Sequence, residues 1–420
     1  MLRFLTAGES HGPALSCIVE GLPAGLPISI DAINNDLRRR QTGYGAGGRM
    51  KIEQDRVQIT GGIVNGKTIG APVGMLVENL DWKNWKDKVT PPQTIPRPGH
   101  ADLAGATKYD LDDLRMVGER ASARETTMRV AAGALARQLL AQFNILVGSY
   151  VTEIGGEIAD LPDIPYPERF ARADASDVRV YDAASAERIR KRISDIMHAK
   201  ETGGGVIETV ALNVPVGLGS HVHWDRKLDG RLAQAIMSIH SVKGVEIGNA
   251  FENARKLGTQ VQDEIFIATS DLTPNPSPMR RGEEANRDRR GEEANHDRRG
   301  ESGYGEANHA KRGGSVYRET NRAGGLEGGI TNGEPLVIRA ALKPIATTLT
   351  PTRSIDVRTR EPAPMIYQRS DLVHIPRACV ITEAMVCLVL ADALMEKFGG
   401  DSLREMKAHF DAWNPQLPIL

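Results

Sequence analysis

VQITGGIVNGKTIGAPVGMLV, residues 57–77, reads as two strands around a tight turn. Runs 57–64 and 70–77 flank Asn65-Gly66, a pair that tolerates the positive φ angles of a two-residue hairpin. A second signal of this kind, Asn332-Gly333, separates 329–331 from 335–342, and 206–214 reads as a further strand. Helical spacing appears between these runs. A helix is expected over about 31–40, with Ile33 and Leu37 on one face. Another starts at Ser122, where Ser122 and Glu125 have capping-box spacing and Met128, Ala132, Leu135, Leu139 and Phe143 follow on one stripe. A third covers about 225–239, with Leu228, Leu232, Ala235, Ile236 and Ile239 on its stripe. The last covers about 381–398 and stops at Gly399-Gly400. Helices alternating with antiparallel hairpins favour an α+β fold over a doubly wound parallel sheet.

Composition narrows the classes. The chain has 420 residues, a length that by itself suggests two or three domains. Its 53 Lys and Arg balance 54 Asp and Glu, which argues against bulk attraction to nucleic acid or membrane. Cys17, Cys379 and Cys387 show no metal-ligand spacing and suggest a reducing compartment without a disulfide framework. The N-terminal stretch MLRFLTAGESHG lacks the apolar run of a signal peptide, and no stretch is read as a membrane span. The expectation is a cytoplasmic protein.

Residues 273–313 differ from the rest. They hold almost no apolar side chain and a nine-residue repeat, RRGEEANRD from Arg280, RRGEEANHD from Arg289 and RRGES from Arg298. Such a segment buries too little surface to offset its ordering entropy and is expected to be a disordered insertion. Between Met279 and Arg312 nine basic side chains meet eight acidic ones, so the insertion is no cationic arm and argues against RNA binding.

Three loop clusters carry the chemistry. Gly8-Glu9-Ser10-His11-Gly12 sets a histidine between glycines, where backbone can approach a ligand and the imidazole can move protons near neutral pH. Arg38-Arg39-Arg40 precedes Gly43-Tyr44-Gly45-Ala46-Gly47-Gly48-Arg49, a set of guanidinium forks suited to phosphate or carboxylate, or else a solvated helix end. Arg97-Pro98-Gly99-His100-Ala101-Asp102 is followed by Arg120-Ala121-Ser122-Ala123-Arg124-Glu125, read as a helix N-terminus able to cradle phosphate or as a simple capping box. His221-Val222-His223 lacks the further ligands of a zinc site, so no metal is expected. These residues point to an enzyme for a small, multiply anionic substrate with two histidines for proton transfer.

In order along the chain, GESHG, DLRRRQ-GYG-GGRMKIE, RPGHADLAG-KY, ERASARETTMRVA, VPVGLGSHVHWDRKLD, GG-EGG-TNGEPLVIRAALKP and QRSD resemble chorismate synthase. The resemblance covers nearly the whole chain except the insertion. It implies one domain over residues 1–420, interrupted by 273–313, folded as a β–α–β sandwich with antiparallel sheets around helices and assembled as a homotetramer. It implies 1,4-anti elimination of phosphate from 5-enolpyruvylshikimate 3-phosphate, a small anionic substrate, with reduced FMN. NADPH enters only as a reductant that could regenerate the reduced flavin.

By position, His11 resembles the histidine that protonates the reduced flavin, His100 the one at the leaving phosphate, and Asp371 the aspartate that assists deprotonation. Arg40, Arg49 and Arg369 match substrate-anion arginines, and Arg40 also matches a nucleotide contact. FMN contacts fall on Arg120, Ala121, Ser122, His240, Ser241, Gly328, Lys343, Pro344, Ile345, Ala346, Thr347 and Arg369. The chain departs from the family at Ala46, commonly arginine, and at His240-Ser241, usually Asn-Ala. An FMN-binding homologue with impaired catalysis and an interaction protein working through the repeat are the competing readings.

Overall fold

A computed structural model describes residues 1–45, 54–267, 316–368 and 371–413. The insertion 273–313 and the positions Ala46, Arg49 and Arg369 lie outside the described residues.

Two antiparallel sheets organise the chain. The first has four strands in the order Arg3–Ala7, Ala14–Glu20, Val73–Glu78, Val57–Gly61. The second has five, in the order Val242–Ile247, Leu336–Leu342, Gly205–Leu212, Leu146–Ile154, Glu157–Ile158. Ten α-helices accompany them among the described residues. They are α1 (Ile30–Gln41), α2 (Asp102–Tyr109), α3 (Leu114–Arg120), α4 (Thr126–Ala141), α5 (Tyr166–Ala175), α6 (Ala183–His198), α7 (Leu228–Met237), α8 (Ala250–Asn253), α9 (Ile375–Phe398) and α10 (Leu403–Ala412).

Helices α1, α4, α7 and α9 fill the space between the sheets. α4 packs on the four-stranded sheet, α9 on the five-stranded one, and the two helices pack on each other. The fold is thus an α+β sandwich, sheet on helices on sheet. Alternation builds the first sheet: Leu15, Cys17 and Val19, with Val73, Met75 and Val77, point inward, while Ile18 and Glu20 point out. The second sheet is covered on both faces. On its outer face Tyr150, Val210 and Val337 meet Phe170, Ala173 and Tyr181. Between α4 and α9 the approach is so close that a Cβ built on Gly133 would lie 2.4 Å from Ala384 Cβ.

Several expectations shift. The Asn65-Gly66 turn forms, with φ angles of 50° and 73°. It closes only a short ladder, Ile63–Val64 on Lys67–Thr68, while Val57–Gly61 pairs separately with Val73–Glu78. The second expected hairpin does not form. Ile330–Thr331 turns back on Leu326–Glu327, because both edges of Leu336–Leu342 are taken by Gly205–Leu212 and Val242–Ile247. Ser122 caps a short 3-10 turn, Ala123–Glu125, and α4 begins only at Thr126. α9 starts six residues earlier than expected, at Ile375. It is also long and apolar enough to cross a membrane, contrary to the sequence reading. Yet 83% of its most apolar window is buried inside the fold, as suits a core helix.

Candidate functional site

Strand register gathers much of the site. Val242 pairs with Leu342, and Leu342 with Gly205, so His240-Ser241 and residues 343–347 emerge at one end of the five-stranded sheet. A parallel bridge from Gly203 to Val373 brings Asp371 and His374 to that end. Thr202 Oγ1 donates to the Ile345 carbonyl at 2.9 Å, and Thr347 is buried. Gly328 is not brought there: Gly329 O accepts from Leu228 N, at the start of α7, whereas His240 follows the far end of that helix. Ten helical residues separate the two ends by about 15 Å.

His100 lies in the loop before α2. Its Nδ1 is 2.6 Å from Asp102 Oδ1. An ionised carboxylate only accepts, so Nδ1 carries a proton towards Asp102, and Nε2 carries the second proton when the ring is an imidazolium. Arg97 fixes the carboxylate through Nε and Nη2, each at 2.7 Å. Burial would raise the Asp102 pKa, but the hydrogen bonds from Arg97 and His100 outweigh it and hold the carboxyl well below its ordinary range. Lys343 Nζ reaches the same loop and donates to Gly99 O at 2.8 Å.

His11 repeats the design. Glu119 Oε1 lies 2.9 Å from His11 Nδ1, and Oε2 accepts from the His11 backbone at 2.7 Å. Burial of Glu119 is again outweighed by these bonds, and its pKa falls. The Trp85 ring covers the imidazole, with centroids 4.1 Å apart.

The expected phosphate cradle at Arg120 is built differently. Arg120 ends α3 and does not open a helix. Its guanidinium donates to Thr6 O at 2.9 Å, to Thr6 Oγ1 at 2.6 Å and to Gly8 O at 3.3 Å, tying α3 to the His11 loop. Ala121 caps α3, and Ser122 Oγ accepts from Arg124 N at 3.3 Å. His240 borders both histidine loops: burial lowers its pKa, Glu125 opposes, and the positive groups Arg129, His100 and Arg120 add to the lowering.

Beneath lies a cationic cluster. Arg40 Nη2 donates to Asp55 Oδ2 at 2.8 Å, and Arg124 Nη1 to Asp55 Oδ1 at 2.5 Å. Arg377 pairs with Asp371. Three guanidiniums thus meet two carboxylates. Burial lowers the Arg40 pKa; Asp55 opposes, and Arg124 and Arg377 add to the lowering. A buried cation so placed gains from a bound anion.

The chorismate synthase family model matches residues 2–395. The chain belongs to the chorismate synthase family. A chorismate synthase of Geobacter sulfurreducens is 48% identical to it, over 98% of this chain and 98% of that protein. One of Aquifex aeolicus is 45% identical, over 98% and 96%. A crystal structure of chorismate synthase superposes with a TM-score of 0.72 at 38% identity, over 98% of this chain and 96% of that one.

Within this chorismate synthase fold, sequence reasoning missed the groups behind the histidines and arginines. Asp102 was legible in principle, two residues after His100. Glu119 and Asp55 carried no signal: Glu119 meets His11 across 108 positions, and Asp55 meets Arg40 across 15 and Arg124 across 69, none of them a helical or strand spacing. His374 and Arg377 were hidden in an apolar helix start.

Proposed function

We propose that the chain eliminates phosphate from 5-enolpyruvylshikimate 3-phosphate to give chorismate, a 1,4-anti elimination that requires reduced FMN. The observation that carries this reading is a pair of imidazoles, His11 and His100, each with Nδ1 on a carboxylate, together with a buried arginine cluster. Such a set can hold a multiply anionic substrate and handle two protons.

The donor set fits an anionic flavin. His240 Nδ1 and Arg40 Nε are buried with no protein partner among the described residues. Lys343 Nζ meets a carbonyl and no described carboxylate. Lys343, Arg120, Ser122 and His240-Ser241 would hold the cofactor, with residues 344–347 lining it. When bound, reduced FMN supplies an electron transiently and accepts the proton the substrate loses.

The chain's own residues do the rest. Arg40, Arg49 and Arg369 hold the substrate anions by charge-assisted hydrogen bonds. His100 donates the Nε2 proton to the leaving phosphate, and Asp102 stabilises the imidazolium before transfer. His11 keeps the flavin protonated, and Asp371 assists the proton abstraction. Atoms balance as loss of one proton and one phosphate, with no net oxidation. We place this chemistry in a cytoplasmic homotetramer in which residues 1–420 form one catalytic unit around the insertion.

An anaerobic assay with chemically reduced FMN and 5-enolpyruvylshikimate 3-phosphate tests the reading. Phosphate and chorismate should appear in equal amounts and only with reduced flavin. FMN binding without turnover would favour a homologue with impaired catalysis.

A further inference from the structure

Ser241 has a left-handed backbone, with φ of 69°, a conformation a residue with a Cβ rarely keeps unless it is held. Two contacts hold it. Its Oγ lies 2.5 Å from His374 Nε2, and its carbonyl accepts from Lys343 N at 2.9 Å. The Lys343 side chain then donates to Gly99 O at 2.8 Å, next to His100. Hydrogen-bonded residues therefore run from the start of α9, through Ser241 and Lys343, to the loop that carries His100.

His374 is a firm point from which to hold that chain. It is the N-cap residue of a helix buried along most of its length, and its neighbour Val373 is bridged to Gly203 of the sheet. Burial pushes its pKa down to about 4, although Asp371 opposes, and Arg377 and Lys343 add to the lowering. At neutral pH the ring is therefore uncharged and does not repel the two cations beside it.

We infer that His374 is a positioning residue for the elimination, acting through Ser241 and Lys343 to fix the wall shared by the cofactor and His100. The inference rests on the proposed function. A displacement of about 1 Å at a reacting group can cost a hundredfold in rate, so a contact outside the chemistry can govern it.

The test compares His374→Ala, Ser241→Ala, the double variant and His374→Gln. FMN affinity is read by flavin fluorescence, kcat and KM by the anaerobic assay, and folding by thermal denaturation. Each single variant should weaken FMN binding by about tenfold and lower kcat about ten- to hundredfold, with a smaller change in KM. The double variant should be no worse than the poorer single one, because the two residues form one link. His374→Gln, which can still reach the hydroxyl, should recover most of the loss. Multiplying effects in the double variant, or single variants within about twofold of wild type in both readings, would overturn the inference. If His374→Ala does not fold, Ser241→Ala decides by the same readings. Wild-type protein that neither binds FMN nor releases phosphate would overturn the proposed function, and this inference with it.

Discussion

His100 presents Nδ1 to Asp102 Oδ1 at 2.6 Å, and Arg97 grips both oxygens of the same carboxylate. The imidazole is thereby fixed in tautomer and in orientation. His100→Ala should lower turnover by roughly a hundred- to ten-thousandfold, the usual worth of a positioned acid, with FMN affinity kept. Asp102→Asn should fall between wild type and His100→Ala, because the amide holds the ring but no longer stabilises the imidazolium. Single-turnover phosphate release measures both. Wild-type rates in His100→Ala would remove the residue from the mechanism.

Glu383 predicts an acid-labile core. It is fully buried in α9, where Ser149 donates at 2.6 Å, Arg137 at 2.6 Å and Arg39 through both terminal nitrogens at 2.8 and 3.0 Å. Burial would raise its pKa, but Arg39 and Arg137 outweigh it and hold it at about 2. The unfolded chain binds a proton at higher pH than the folded one does. Its contribution, on the order of 3 kcal/mol, is therefore present above about pH 4.5 and lost as pH falls towards 2. Urea melts across that window should show the loss, and Glu383→Gln should flatten it. The same variant should cost about 1–3 kcal/mol at pH 7, since Arg39 and Arg137 lose one carboxylate but keep Asp36 and Asp174.

Gly133 sets the spacing of the two central helices. Any Cβ there would meet Ala384 Cβ at 2.4 Å and its Cα at 2.5 Å. Helix propensity alone favours Gly133→Ala, by about 1 kcal/mol. Overpacking, about 1–3 kcal/mol, should outweigh that gain and give a net loss of up to about 2 kcal/mol. A lowered Tm checks this, and a Tm raised by the full propensity gain would show that the helices can part at no cost.

Removal of residues 273–313 should leave turnover within about threefold of wild type. Each doubling of loop length costs only about 0.6 kcal/mol of closure entropy, so shortening the connection changes little. Loss of activity in a folded deletion variant would assign the repeat a part in the reaction.

Local signals were readable in the sequence, and long-range pairing was not. Asn65-Gly66 made its turn, and the stripes of α4 and α7 went into the core at the expected positions. Those features depend on residues a few positions apart. The partner of Leu336–Leu342 depends on which strands compete for its edges, and the adjoining Asn332-Gly333 turn says nothing about that. The site follows the same division. Both histidines were legible because each sits in a glycine loop. Their carboxylates were less so: Asp102 borders its histidine, but Glu119 meets His11 only after α3 has folded against the first loop. The capping-box spacing at Ser122 matched a real cap, yet on a 3-10 turn that precedes the helix. Just after that turn Thr126 Oγ1 accepts from Arg40 and Thr127 Oγ1 donates to Asp55, each at 3.4 Å.

The bridge from Gly203 to Val373 has a consequence for how the protein is made. Asp371, His374 and Arg377 arrive at or just before the start of α9, the last long element of the core, and they complete a candidate site whose other described members come from residues 11 to 347. During synthesis the ribosome releases the glycine loops and the Arg40–Asp55–Arg124 group first, and they wait without their final wall. A chain stopped before residue 371 holds both histidines but lacks the Asp371–Arg377 pair and the His374 contact to Ser241. The candidate site is therefore complete only once α9 has been made and has packed on the five-stranded sheet.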